Sequence, residues 1–144
     1  MSPRKEERDR FAHLRKAEAF EGCTDDELER IDSLLAETTV PAGRVLMKEN
    51  APGFQFVVIH EGTATVSRGG KEVATVGPGS FLGEMALLDE DLQTRTATVT
   101  AETDMRIYVM NAGEFTSLLR EVPSMREKIL RTKAIRNHPA GKGA

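Results

Sequence analysis

Two periodicities divide this chain. Near the N-terminus, Phe11, Leu14, Ala17 and Phe20 recur at the spacing of one helix face. A second helix is predicted from Thr24, because Thr24-Asp25-Asp26-Glu27 has the capping-box pattern and leads into the stripe Leu28, Ile31, Leu34, Leu35. Late in the chain, Asn111 with Glu114 predicts another helix start, ahead of Phe115, Leu118 and Leu119. Ser124 with Glu127, just after Pro123, predicts the start of a last helix. It carries Met125, Ile129 and Ile135 and ends near Asn137, since His138-Pro139-Ala140-Gly141 cannot continue it. Residues 4–36 and 111–136 therefore read as helical, and everything between them reads differently.

The middle is a succession of short strands cut by turns. Candidates are Glu37–Val40, Arg44–Lys48, Phe54–His60, Thr63–Arg68, Glu72–Val76, Arg95–Ala101 and Met105–Met110. Eight of the 12 glycines lie from Gly43 to Gly83 and punctuate this region. Gly69-Gly70 predicts a tight hairpin, because glycine tolerates the positive φ of primed turns. Strands at this spacing point to an antiparallel sandwich, jelly roll or barrel, with the helices packed at its ends. The expected organisation is a flexible N-terminus (1–8), one domain (9–137) and a flexible tail (138–144).

Composition narrows the class. At 144 residues, 39% apolar and 30% charged, the chain can bury one core and reads as soluble and globular. No apolar run approaches the roughly 18 residues of a transmembrane span. The opening MSPRKEERDR is too charged for a signal peptide. Cys23 is alone, which excludes an internal disulfide and a multi-cysteine zinc cage. A cytoplasmic protein or domain is the expectation. The net charge of −3 argues against a bulk nucleic-acid binder, although residues 121–144 carry six Lys/Arg against two Glu.

One segment breaks the strand rhythm: Gly79-Ser80-Phe81-Leu82-Gly83-Glu84-Met85-Ala86-Leu87-Leu88, then Asp89 to Thr94, then Arg95-Thr96-Ala97-Thr98-Val99. Gly83 leads into good helix formers, so backbone N–H groups can converge there on an anion. Arg95 can close such a site from the opposite side, its guanidinium donating two parallel hydrogen bonds to a phosphate. Glu84 would repel a phosphate unless it accepts hydrogen bonds from a neutral part of the ligand. A sugar hydroxyl fits. Nest, Arg and Glu together suggest a ligand with one phosphate and a free ribose hydroxyl.

This stretch resembles the phosphate-binding cassette of cyclic-nucleotide-binding domains, as in catabolite activator proteins, protein kinase A regulatory subunits and cyclic-nucleotide-gated channels. Phe81, Gly83, Glu84, Ala86, Leu87, Leu88, Arg95, Thr96, Ala97, Thr98 and Val99 match the family pattern in order, within residues 81–99. The likeness extends from about Phe20 to Arg136 and includes Gly43 and Gly62. Thr94 stands where many members have Pro or Arg, and the Asp89–Thr94 loop is slightly longer than usual.

The resemblance implies a mainly β fold: an antiparallel β-roll, jelly-roll-like, with N-terminal helices and two C-terminal helices. It places ligand contacts at Leu82, Gly83, Glu84, Met85, Ala86, Arg95, Thr96 and Ala97. Glu84 would accept the ribose 2′-hydroxyl, Arg95 would pair with the phosphate, and amides around Met85–Ala86 would join it. Thr96 would reach the phosphate or a purine amino group, and Val66 and Val73 would line the base. Ile129, Arg131 or Ile135 on the last helix would fold over the base as a lid.

The same residues also admit plainer readings. Glu84 and Arg95 could form only a structural ion pair, and Thr96 could be a plain strand residue. His60 and Glu61 could belong to a cupin metal site, but that site needs a His-x-His pair, and His13 and His138 lie in the terminal segments. Cys23 reads as inert, and Met105, Met110 and Met125 as core filler. Arg126, Lys128, Arg131, Lys133 and Arg136 read as a solvated helix face, with a partner, anionic lipid or nucleic acid as the alternative.

No nucleophile–base–acid set or Walker loop stands out, so a non-enzymatic sensor of cAMP (preferred) or cGMP is expected, with no cofactor besides that ligand. Its output would go to a protein partner or a fused effector. The competing expectation is a degenerate relative that serves only as an interaction or oligomerisation module. A DNA-binding regulator is disfavoured, because about eight residues follow the last helix and a helix-turn-helix needs several dozen.

Overall fold

A computed structural model of the chain describes residues 11, 12, 14–49, 55–83 and 97–137, with the backbone alone for 132–137. A short helical stretch and the 3-10 turn Glu18–Phe20 lead into helix α1 (Asp25–Leu34). Eight strands follow: β1 (Ala36–Val40), β2 (Val45–Met47), β3 (Gln55–Glu61), β4 (Ala64–Arg68), β5 (Lys71–Val76), β6 (Phe81–Leu82), β7 (Thr98–Ala101) and β8 (Met105–Asn111). Helices α2 (Ala112–Glu121) and α3 (Pro123–Asn137) close the order.

The strands form two four-stranded antiparallel sheets, ordered β1-β8-β3-β6 and β2-β7-β4-β5. This is the expected antiparallel β-roll with helices at its flank. Period-2 alternation gives the first sheet two buried faces. Phe56 and Val58 of β3, with Tyr108 and Met110 of β8, join the helices in one core. Val57, Ile59 and Ile107 face the other way, into a second core with Val99 and Ala64 of the opposing sheet. Met105, Met110 and Met125 are all buried, as core filler should be.

Two helix starts form as their side chains dictate. The Thr24 hydroxyl accepts from the Glu27 amide at 3.1 Å, and Glu27 accepts from the Thr24 amide at 2.8 Å. Asn111 and Glu114 repeat the exchange at 2.8 and 3.1 Å. The last helix departs from expectation. It begins at Pro123, where a ring with φ already set and no N–H costs nothing in a first turn. Ser124 is therefore inside the helix, and its hydroxyl lies 3.8 Å from the Cys23 thiol. The strand Phe81–Leu82 also has no counterpart among the expected strands, being only two residues long.

Candidate functional site

The candidate cassette begins where β6 ends. β6 pairs with β3 at Val57–Leu82 and Val58–Phe81, so Phe81 is buried on the helix side and Leu82 inside the roll. Gly83 follows with φ +92°, a left-handed conformation that a side chain would strain. At the far end of the cassette Ala97 is half-buried and Thr98 opens β7. β6 is an edge strand of one sheet, and β7 lies beside β4 in the other. The segment from Gly83 to Ala97 thus joins the two sheets. Glu84, Met85, Ala86, Arg95 and Thr96 lie outside the described residues.

The β4–β5 hairpin supplies the apolar wall. Val66 stands opposite Val99 on β7 and Ala74 on β5, and partners in an antiparallel pair share a face. Val99 is buried in the roll, Val66 is half-buried against it, and Ala74 is exposed. The interior face is consequently open at β5. Val73 is the unmatched residue of a register shift between Val66–Ala74 and Ser67–Glu72, and is 48% exposed. Gly69 and Gly70, with φ of +58° and +80°, make the turn that the Gly-Gly pair predicts.

The three lid candidates part ways. Ile129 is fully buried in the helix-side core with Phe20 and Met125. Arg131 is exposed, 2.8 Å from Glu127 one turn back. Ile135 lies on α3, and its side chain is outside the described residues. Lys128, on the basic stripe, reaches Glu21 at 3.0 Å.

His60 stacks on Tyr108 with ring centroids 5.3 Å apart, and its Nδ1 lies 3.3 Å from the phenol oxygen. Among the described residues no three His, Cys, Asp or Glu side chains gather around a common point. A cavity of about 310 Å³ beside this pair, lined by Leu14, Lys16, Ala17 and Gly79 as well, does not include Val66 or Val73 in its lining. Burial pushes the Cys23 thiol up, outweighing the hydrogen bond from Ser124 that lowers it, in keeping with an inert thiol.

Sequence reasoning overlooked Glu49. Its amide donates to the Thr98 hydroxyl at 3.0 Å, and its carboxylate accepts the Gly69 amide at 3.0 and 3.2 Å. Its only sequence signal is position, directly after the expected strand Arg44–Lys48, which does not identify such a partner.

Residues 37–122 match the family described as Cyclic nucleotide-binding domain, and the chain belongs to that family. It is 33% identical over 110 residues to the Cyclic nucleotide-gated potassium channel mll3241 of Mesorhizobium japonicum, covering 76% of this chain and 30% of the channel. It is 34% identical over 95 residues to the cAMP-dependent protein kinase regulatory subunit of Aspergillus fumigatus, covering 65% of this chain and 22% of that one. The crystal structure of Thermus thermophilus Catabolite Activator Protein superposes with a TM-score of 0.76 at 25% identity, over 87% of this chain and 60% of that chain. The chain thus spans about a third or less of the curated relatives it matches. Among the described residues, no helix is long and apolar enough to cross a membrane.

Proposed function

We propose that this domain is a non-catalytic cytoplasmic sensor that binds cAMP in preference to cGMP and passes the binding event to a partner or fused effector through its last helix. The observation that carries this reading is the ordered cassette match of residues 81–99, which runs from β6 of one sheet to β7 of the other, where β7 lies beside β4. Arg95 pairs with the phosphate, together with amides near Met85 and Ala86 and the Leu82–Gly83 backbone. Glu84 takes the ribose 2′-hydroxyl. Thr96 and Ala97 complete the cassette, and Val66 and Val73 line the base.

Movement of α3 over the base rests on Ile129, Arg131 or Ile135 in this reading, with Ile129 or Ile135 as the apolar contact. Ile129 already belongs to the core, so a closing helix has to keep or exchange that burial. A ligand moves such an equilibrium only by its differential affinity for the two positions.

Calorimetric titration with cAMP and cGMP tests the reading. Arg95→Ala should weaken binding at least about thirtyfold, because removing one partner of a buried charge pair costs about 2–5 kcal/mol. Glu84→Gln should reduce affinity for cAMP and leave that for 2′-deoxy-cAMP nearly unchanged. Wild-type affinity in Arg95→Ala, or no binding of either nucleotide by the wild type, would overturn it.

A further inference from the structure

Glu49 joins three pieces of chain that are remote in sequence. It follows β2, its amide donates to the Thr98 hydroxyl at the start of β7, and its carboxylate holds the Gly69 amide at the tip of the β4–β5 hairpin. In a two-residue primed turn the Gly69 amide has no place in the strand ladder, since Arg68 and Lys71 are the last pair. A carboxylate is a strong acceptor for such a donor. Among the described residues β5 pairs only with β4, and the ladder between β4 and β7 reaches no closer to the tip than Ser67–Thr98, so the Glu49 carboxylate adds a hold on the tip itself.

We infer that Glu49 is a positioning residue for base recognition, strapping the β4–β5 hairpin to the strand that follows Arg95. The inference rests on the nucleotide-sensor reading. Val66 precedes Gly69 by three residues and Val73 follows Gly70 by three, so both proposed base contacts are carried on the arms of the strapped turn. Thr98 lies three residues after Arg95, so the same strap reaches the strand that carries the phosphate contact. Glu49 touches no ligand in this arrangement. It sets the separation between the wall that meets the base and the strand that leads from the phosphate.

The experiment compares cAMP with the base-free ribose 3′,5′-cyclic phosphate, alongside amide exchange at Gly69 without ligand. Glu49→Ala should weaken cAMP binding about tenfold, leave the base-free probe within about twofold, and speed Gly69 exchange about tenfold. Glu49→Gln, which keeps an acceptor oxygen, should recover most of both effects. Equal loss of both probes would make Glu49 a support of the cassette or of the whole fold, and unchanged cAMP affinity would remove its role in recognition; either result overturns the inference. Wild-type protein that binds neither probe overturns the sensor reading instead. Gly69 exchange then still decides whether the strap exists: exchange unchanged in Glu49→Ala eliminates it.

Discussion

The two faces of the β1-β8-β3-β6 sheet are both buried, yet they are built from different residues for different ends. On the helix side Phe20, Phe56, Phe81 and Phe115 are essentially inaccessible, with Phe56 stacked on Phe115 at 4.5 Å. On the roll side the core is aliphatic, made of Val, Ile, Ala, Leu and Met. Of the largest fully buried side chains, Ile59 alone faces the roll. Aromatic rings bury the most area per residue and fill a space closed by helices. The roll side instead stays open at Ala74 and Val73. One face is packed to hold the fold, and the other leaves apolar surface at the β5 edge of the second sheet.

This contrast can be broken most severely at Phe56. Phe56→Ala should cost about 3–5 kcal/mol in urea denaturation, a large part of the stability of a domain this size. A loss below about 1 kcal/mol would mean that the helix-side core is not the main support. Ile129→Ala should cost about 2–5 kcal/mol by the same measurement, because the side chain is fully buried. If it instead weakened nucleotide binding with no loss of stability, Ile129 would be a lid contact and the boundary between core and lid would shift.

Val73→Ser sharpens the contrast from the open side. A side chain 48% exposed contributes little to folding, so the unfolding free energy should change by less than about 0.5 kcal/mol. The affinity for cAMP should nonetheless fall. Equal affinity for wild type and variant would take Val73 out of the base wall. The smallest effect is expected at Cys23, whose thiol is pushed up by burial. A raised folded pKa contributes stability below the unfolded thiol's pKa, and that contribution fades as pH rises through the folded value. Iodoacetamide at pH 8 should therefore label the native protein more slowly than the urea-unfolded chain; equal rates would show an ordinary, accessible thiol.

Local chemistry decided much of this architecture before any packing. The Thr24 and Asn111 caps each need only residues three apart, and both form. Gly69-Gly70 needs only its own φ freedom, and it turns the hairpin. The cassette is contiguous, so its residue order is legible, and so is the family it points to. Pro123 shows where local reading was outweighed. Ser124 resembles a cap, but the proline before it is a better first helical residue, and the serine turns toward Cys23, 101 positions away. Three features belong to the tertiary structure alone, because each depends on partners from separate strands or helices. Which face of β3 meets the helices follows from register with β8 and β6. The burial of Ile129 follows from the cluster it shares with Leu14 and Phe20. Glu49 acquired its position because folding brings Gly69 and Thr98 to the end of β2, and a single glutamate after a short strand carries no trace of either partner.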